Sequence, residues 1–171
     1  MQLTLYHPQF FTATILEWKP LLKEDKYKDI IIDSLRFLVK EKRVIVYAFV
    51  IMSNHLHLVW QIQAGHTREN VQRDFLKFTG QMLKYELQKN NPVLLQSYSV
   101  LAKDRQYQFW KRHALSIDLF SEAVLLQKIA YIHQNPVKAG LCSLAELYKY
   151  SSANFYETGK DYFGFIEHVK G

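Results

Sequence analysis

The sequence predicts an α+β fold of the ferredoxin-like type, a split βαβ arrangement with an antiparallel sheet and an extra C-terminal helix. Two observations carry this prediction. Strand-like segments and segments with apolar residues at helical spacing alternate in the order strand, helix, strand, strand, helix, strand. Between the second and third strands, only Ser53 and Asn54 are available for the connection, which is typical of a tight hairpin.

Four strands are expected from runs of β-branched and aromatic residues. They cover residues 9–18, 43–52, a segment that begins at His55, and residues 107–117. Pro20 ends the first of them, because proline cannot donate to a strand ladder. We expect these four segments to form the sheet.

Three helices are expected at residues 24–40, 67–89 and 121–134. Ser121 can cap the third helix, and Asn135-Pro136 is expected to close it. The apolar side of the first contains Tyr27, Ile30, Ile31, Leu35 and Leu38, and that of the second contains Val71, Phe75, Phe78, Met82 and Tyr85. The remaining surface of the second helix carries Arg68, Arg73, Lys77, Lys84 and Lys89. This helix therefore has a basic outer surface.

Two segments lie outside these elements. Residues 93–106 show no clear periodicity, and connections of this length are often functional or mobile. The tail at residues 142–171 contains Tyr148, Tyr150, Phe155, Tyr156, Tyr162 and Phe165. It is too aromatic for a disordered appendage, so we expect it to fold back onto the body or onto a second subunit.

Composition limits the function classes. With 171 residues, 49% of them hydrophobic, the chain suits one domain over 1–171, with a core at about 9–141. Lys and Arg total 22 against 16 Asp and Glu, and this basic excess favours polyanions such as nucleic acid as partners. Cys142 is the lone cysteine, and residues 1–5 lack the pattern of a targeting signal. We therefore expect a cytoplasmic protein with no membrane partner.

Two histidines, His55 and His57, stand two residues apart in the third strand. Side chains at i and i+2 of a strand point to the same face, so both imidazoles share one face while Leu56 and Leu58 lie on the other. If the apolar face packs on the first two helices, only the third helix remains to cover the histidines. Such a pair can supply two ligands to one divalent metal ion. Alternatively, the two histidines are partly exposed surface residues of a hairpin. Val59 stands where a histidine-triad nucleotide hydrolase would need a third histidine.

Tyr131 lies in the third helix, off the apolar stripe of that helix. The stripe contains Leu125, Ile129 and Ile132. The residues three or four positions from Tyr131 on its own side are Gln127, Lys128, Gln134 and Asn135. A helical tyrosine can simply span core and water with its hydroxyl hydrogen-bonded. Opposite a metal-capable histidine pair it becomes a candidate nucleophile, with Asn135 or Gln134 as a neutral oxygen ligand.

Two motifs of this sequence resemble those of the single-tyrosine HUH transposases. Residues 49–59 resemble the HUH motif, and residues 131–141 resemble the tyrosine helix of the REP-associated branch (RAYT). The segment Phe109-Trp110-Lys111-Arg112 resembles the one that precedes this helix. The likeness covers roughly residues 9–156, and Ser53 stands where a proline is usual.

The resemblance implies a metal-dependent enzyme that cleaves and rejoins single-stranded DNA. It implies that His55, His57 and Asn135 (or Gln134) hold Mg²⁺ or Mn²⁺, and that Tyr131 attacks the DNA and forms a 5′-phosphotyrosine. The third ligand stays open between the two amides, because the better-known hairpin transposases use glutamine. Hairpin sites, either REP-like or at insertion-sequence ends, and a homodimer are further implications.

Candidate phosphate contacts are Lys111, Arg112 and Lys128, each of which could equally be a solvated surface charge. The alternative function is a non-catalytic protein that binds hairpin nucleic acid and is derived from the same fold. The two functions differ in whether a covalent protein–DNA adduct forms.

Overall fold

Residues 6–171 are described by the structure, a computed structural model, and the prediction for residues 1–5 falls outside them. The strands are β1 (Pro8–Thr14), β2 (Val44–Ile51), β3 (His55–Ile62) and β4 (Leu115–Asp118). The helices are α1 (Asp25–Lys40), α2 (Arg68–Asn90), α3 (Pro92–Gln96), α4 (Glu122–Lys138) and α5 (Ala153–Thr158). Across this described part of the chain, no helix is both long and apolar enough to span a bilayer.

The four strands form one antiparallel sheet in the order β2-β3-β1-β4. This order and the α+β architecture confirm the predicted ferredoxin-like fold. The tight connection between β2 and β3 is also confirmed, since the backbone N–H of Met52 donates to the carbonyl oxygen of His55 at 2.8 Å. In the β1–β3 register, Thr12 lies opposite His57 and Thr14 lies opposite His55.

Alternation along β3 separates two apolar cores, one on each face of the sheet. Leu56, Leu58 and Trp60 are fully buried in the larger core, which also contains residues of α1 and α2. Val59 belongs to the smaller core on the other face, together with Ile129 and other residues of α4. The predicted assignment of faces is confirmed, and α4 is the helix that covers the histidine side.

β1 is shorter than predicted. The strand ends at Thr14, and a 3₁₀ turn follows at Leu16–Trp18, within which Glu17 and Trp18 have left-handed φ values of 57° and 58°. Hydrogen bonds hold this turn against the hairpin, because the N–H of Ile15 donates to the Asn54 carbonyl oxygen at 2.8 Å. The composition of these residues is strand-like, but contact with the hairpin bends the chain out of the sheet.

The predicted strand at residues 107–117 is wrong over most of its length. β4 begins only at Leu115, and the strand-like residues before it are buried against α2 instead. Trp110 shows the reason, because its indole Nε1 donates to the Thr79 hydroxyl at 3.0 Å inside the core. Tyr107 and Trp110 each form one isolated β-bridge, and the preceding unassigned stretch contains the short helix α3.

α4 continues beyond the point where proline was expected to end it. Ser121 caps it as predicted, accepting from the N–H of Val124 at 3.2 Å, but the helix passes through Pro136 to Lys138. Pro136 has no backbone N–H, so the helix lacks the hydrogen bond to the Ile132 carbonyl oxygen. The proline ring is buried, and the backbone N–H groups after it remain hydrogen-bonded. The chain turns at Gly140, whose φ of 74° suits glycine.

The C-terminal tail folds back onto the edge of the sheet formed by β2. The N–H of Ile51 donates to the Tyr150 carbonyl oxygen at 2.9 Å, and the N–H of Glu167 donates to that of Val46 at 2.9 Å. Phe163 and Phe165 are buried in the larger core. The tail therefore covers its own body, so its aromatic residues no longer argue for a second subunit.

Candidate active site

His55 and His57 lie side by side on the face of the sheet beneath α4. Their ring centroids are 4.8 Å apart, and the side chains start β3 directly after the hairpin. His57 is only 6% exposed, whereas His55 is half-buried. The structure thus places the two imidazoles next to each other on one face of the sheet.

Hydrogen bonds at Nδ1 orient both rings. The Asn54 amide nitrogen donates to the Trp18 carbonyl oxygen at 3.4 Å, so its amide oxygen faces His55 Nδ1 at 2.7 Å and accepts from it. In this tautomer Nε2 of His55 has a free lone pair. Nδ1 of His57 lies 2.7 Å from the hydroxyl oxygen of Thr12, which can also accept. Oxygen partners at the non-ligating nitrogen are the usual support of metal-binding histidines.

The electrostatic surroundings keep these imidazoles neutral. Burial lowers the pKa of His57 to about 3, and the neighbouring His55 and Lys128 add to this shift. Burial also lowers the pKa of His55. Neutral rings retain the lone pair that a metal ion requires, so both side chains are ready ligands at neutral pH.

Tyr131 projects from α4 beside His57. The two ring centroids are 5.4 Å apart, and the Tyr131 ring also meets the edge of Phe10 at 6.0 Å. Tyr131 is 44% exposed, although Ile132 next to it is fully buried. The aromatic ring is therefore fixed against the sheet while part of the side chain faces solvent.

Lys128, one turn before Tyr131, brings a positive charge to the same place. Its Nζ lies 4.9 Å from the Phe10 ring centroid and 5.9 Å from that of Tyr131. Stacking of Phe10 on His57, at 5.3 Å, completes the cluster. Charge and aromatic rings are thus collected around one imidazole.

The direction of α4 determines where its amides fall. Just before the helix, the backbone N–H of Leu119 donates to the Pro8 carbonyl oxygen at 2.8 Å. Pro8 lies opposite Gln61, near the end of β3 that is far from the histidines. The helix then reaches His57 at Tyr131, and its next turn carries His133, whose Nε2 lies 2.7 Å from the Ser152 hydroxyl oxygen. Asn135 occupies this next turn and is half-buried, whereas Gln134 is exposed.

The two basic residues after Trp110 lie to one side of the histidines. Lys111 and Arg112 border a cleft of about 190 Å³ that also contains Thr12, Thr14 and Trp18. The Trp18 ring is 57% exposed and lies 6.4 Å from that of His55. The cleft therefore adjoins the histidine pair through residues of β1 and the turn that follows it.

Sequence reasoning missed Phe10, Thr12, Asn54 and Trp18 as members of the site. Alternation along β1 puts Phe10 and Thr12 on one face, but their position beside His57 depends on which strand pairs with β3. Within residues 6–171, no cluster of three or more His, Cys, Asp and Glu side chains could hold a metal ion. A site built on His55 and His57 would thus take its further ligands from amides, water or substrate.

No protein-family model and no curated protein matches this sequence. Among solved structures, the chain is similar to a REP-associated tyrosine transposase bound to a REP hairpin, with a TM-score of 0.65, 14% identity, and coverage of 99% of this chain and 92% of that one. It is also similar to a Deinococcus radiodurans R1 protein described provisionally as a transposase, with a TM-score of 0.45, 17% identity, and coverage of 78% and 95%. The first similarity shows that nearly the whole chain, tail included, has the fold of that transposase structure.

Proposed function

We propose that this protein is a metal-dependent transposase or endonuclease that cleaves and rejoins single-stranded DNA through a 5′-phosphotyrosine. The observation that carries the proposal is the position of Tyr131, whose ring lies 5.4 Å from that of His57 on the sheet face covered by α4. A purely structural tyrosine has no need of two orientated, neutral histidines beside it. The fold similarity to a transposase bound to a DNA hairpin supports the same class of function.

In this proposal Tyr131 is the nucleophile. Packing of its ring against Phe10 and His57 limits its motion, while its exposure leaves room for a phosphate to approach. Nζ of Lys128, 5.9 Å from the centroid of the Tyr131 ring, supplies a positive charge that would offset the charge of the phosphate. α4 thus carries the nucleophile and a cation on one side.

The proposed metal ligands are Nε2 of His55, Nε2 of His57 and the side-chain oxygen of Asn135. Neutral rings held at Nδ1 by oxygen atoms fit a divalent ion, and the half-buried position of Asn135 favours it over the exposed Gln134. When bound, Mg²⁺ or Mn²⁺ would polarise a non-bridging phosphate oxygen and offset negative charge in the transition state.

The proposed reaction exchanges one phosphoester for another. A bond forms between the Tyr131 hydroxyl oxygen and phosphorus, the bond from phosphorus to the 3′ oxygen of the neighbouring nucleotide breaks, the phenol loses its proton and the 3′ oxygen gains one. The 5′-phosphotyrosine keeps the energy of the broken bond, so attack by a 3′-hydroxyl can rejoin strands without ATP. Tyr131 is then released unchanged.

The proposed substrate is single-stranded DNA at a hairpin, such as a REP-like element or an insertion-sequence end. Lys111, Arg112 and Lys128 are the proposed contacts to its phosphates. We also propose a homodimer, on the family resemblance alone, since the tail covers its own sheet edge. Light scattering at micromolar concentration, with and without DNA, checks this part, and a persistent monomer would contradict it.

The test is a search for the covalent adduct. The protein is incubated with Mn²⁺ and hairpin DNA with single-stranded flanks that carries its label at the 3′ end, then denatured and separated by electrophoresis. The proposal requires label that migrates with denatured protein. Cleavage without any adduct would instead make the protein a hydrolytic metal-dependent nuclease, and binding without cleavage would make it a hairpin-binding protein.

A further inference from the structure

A groove of about 710 Å³ runs between α2 and the segment of residues 104–114. Six cationic side chains line it: Arg73, Lys77, Lys84, Arg105, Lys111 and Arg112. Among the described residues in its lining, Asp104 is the one carboxylate. The whole chain has 22 basic against 16 acidic residues. With six cations and one carboxylate, the lining of the groove accounts for most of this positive excess.

Four of these cations are free to bind an external anion. Arg73 and Arg105 pair with the neighbouring carboxylates of Asp74 and Asp104, at 3.0 Å and 3.3 Å. Within residues 6–171, none of the remaining four forms an ion pair. These four are Lys77, Lys84, Lys111 and Arg112. Since none of these four is paired with a carboxylate, they are available to an anionic ligand.

The groove is spaced for a chain of phosphates. Arg73, Lys77 and Lys84 follow one side of α2 over about 16 Å at 1.5 Å per residue, the length of roughly five stacked nucleotides at 3.4 Å each. Gly80 lies between the two lysines and adds no side chain to the floor. On the opposite wall the bond from Trp110 to Thr79 fixes the 104–114 segment to α2. The spacing of the cations is thus set by rigid elements.

The groove leads to the candidate active site. Lys111 and Arg112 line both the groove and the 190 Å³ cleft that contains Thr12 and Trp18. Trp18 presents an exposed ring, with Nζ of Lys111 5.8 Å from its centroid. Bases of a single strand stack on exposed aromatic rings without regard to sequence, while its phosphates need cations. Both kinds of contact are therefore present along one path.

We propose that this groove and Trp18 bind one continuous single strand of nucleic acid, without sequence preference, and lead it to Tyr131. The inference rests on the proposed function only for its end point at Tyr131. The path passes from the α2 side of the sheet, around the start of β4, to the face that carries the histidines. Duplex DNA has a persistence length of about 150 base pairs and resists such a bend, whereas a single strand follows it.

Equilibrium binding tests the groove separately from catalysis. The probe is an unstructured thymidine oligonucleotide of about 15 nucleotides, a length within the range of single-strand sites. Chelator is present and all proteins carry Tyr131→Phe, so no strand can be cut. Lys77→Ala with Lys84→Ala should weaken binding about tenfold at physiological salt and reduce the slope of log affinity against log salt by about 1.4. The matched control, Lys40→Ala with Lys89→Ala, removes the same charge from exposed positions outside the groove and should bind as the parent does.

Fluorescence then tests the path beyond α2. Trp60 is fully buried, whereas Trp110 lines the groove, so contact with Trp18 is measured by the part of the quenching that disappears in Trp18→Phe. The inference would be overturned if the groove pair and the control pair weakened binding equally, or if an equally long duplex bound the groove more tightly. Quenching that is unchanged in Trp18→Phe would overturn it as well. Absence of a Tyr131 adduct in the separate cleavage assay would overturn the proposed function and leave groove binding standing.

Discussion

The hydroxyl oxygen of Thr12 lies 2.7 Å from Nδ1 of His57, across the β1–β3 pair. This contact joins two residues that are 45 positions apart in sequence, and it occupies the histidine nitrogen that faces the neighbouring strand. When Nδ1 donates to the hydroxyl, Nε2 carries a lone pair instead of a proton. Thr12 is therefore a positioning residue for the proposed metal site.

Thr12→Val should lower the affinity for Mn²⁺ by about tenfold or more, because an isosteric methyl group cannot accept the Nδ1 proton. Isothermal titration with Mn²⁺ measures this loss. Thr14→Val, on the same face of β1 but without a hydrogen bond to either histidine, is the matched control and should bind as wild type. Equal affinities in the two variants would remove Thr12 from the site.

The histidine pair itself should be needed for both binding and cleavage. His57→Ala should reduce Mn²⁺ affinity and metal-dependent cleavage together, and the double variant with His55→Ala should abolish both, since the proposed site then loses both of its histidine ligands. Titration and cleavage assays on the same preparations measure the two effects. Full metal-dependent cleavage by the double variant would contradict the proposed metal centre.

Stability should decrease as the pH falls below about 6.5. Burial lowers the pKa of His57 to about 3 and that of His133 to about 4, from an ordinary value of 6.5. The unfolded chain therefore binds more protons in this window, and protonation favours unfolding. The expected loss between about pH 7 and pH 5 is at most about 2 kcal/mol for each histidine.

Urea denaturation in the presence of chelator measures this pH dependence. His133→Gln should lose part of this pH dependence, because the substitution removes a buried imidazole that is neutral in the folded protein. Nε2 of His133 lies 2.7 Å from the Ser152 hydroxyl oxygen. A stability that is flat across this pH range in wild type would show that the two imidazoles are not held neutral by folding.

The alternation in β3 and the cap of α4 could be predicted from sequence because they depend on neighbours along the chain. Leu56, Leu58 and Trp60 lie in the core, and Ser121 caps its helix through its own side chain. Tyr131 and the histidines could also be selected, since strand and helix periodicity gave each a face. Local spacing was sufficient for each of these features.

Tertiary contacts decided the features that were missed. Tyr107 and Trp110 have strand-like side chains, but burial against α2 outweighs that preference. Pro136 disfavours a helix locally, yet its buried ring and the bonds after it extend α4. The role of Thr12 depends on strand pairing, which no local pattern reveals.

Thr79→Val should destabilise the protein by about 1–3 kcal/mol, because the buried indole nitrogen of Trp110 loses its hydrogen-bond acceptor. Urea denaturation at neutral pH measures the change. Thr158→Val, at an exposed threonine of α5, is the comparison and should change stability by less than about 0.5 kcal/mol. Similar stabilities for the two variants would mean that the Trp110 contact does not anchor the 104–114 segment.

The most direct test of the central claim compares Tyr131→Phe with Tyr85→Phe in the covalent adduct assay. Both tyrosines are exposed on helices, at 44% and 53%, but only Tyr131 lies beside His57. With Mn²⁺ and labelled hairpin DNA, wild type and Tyr85→Phe should retain label on denatured protein, while Tyr131→Phe should retain none and remain folded, having lost one oxygen atom. An adduct formed by Tyr131→Phe would contradict the account, because another side chain would then be the nucleophile.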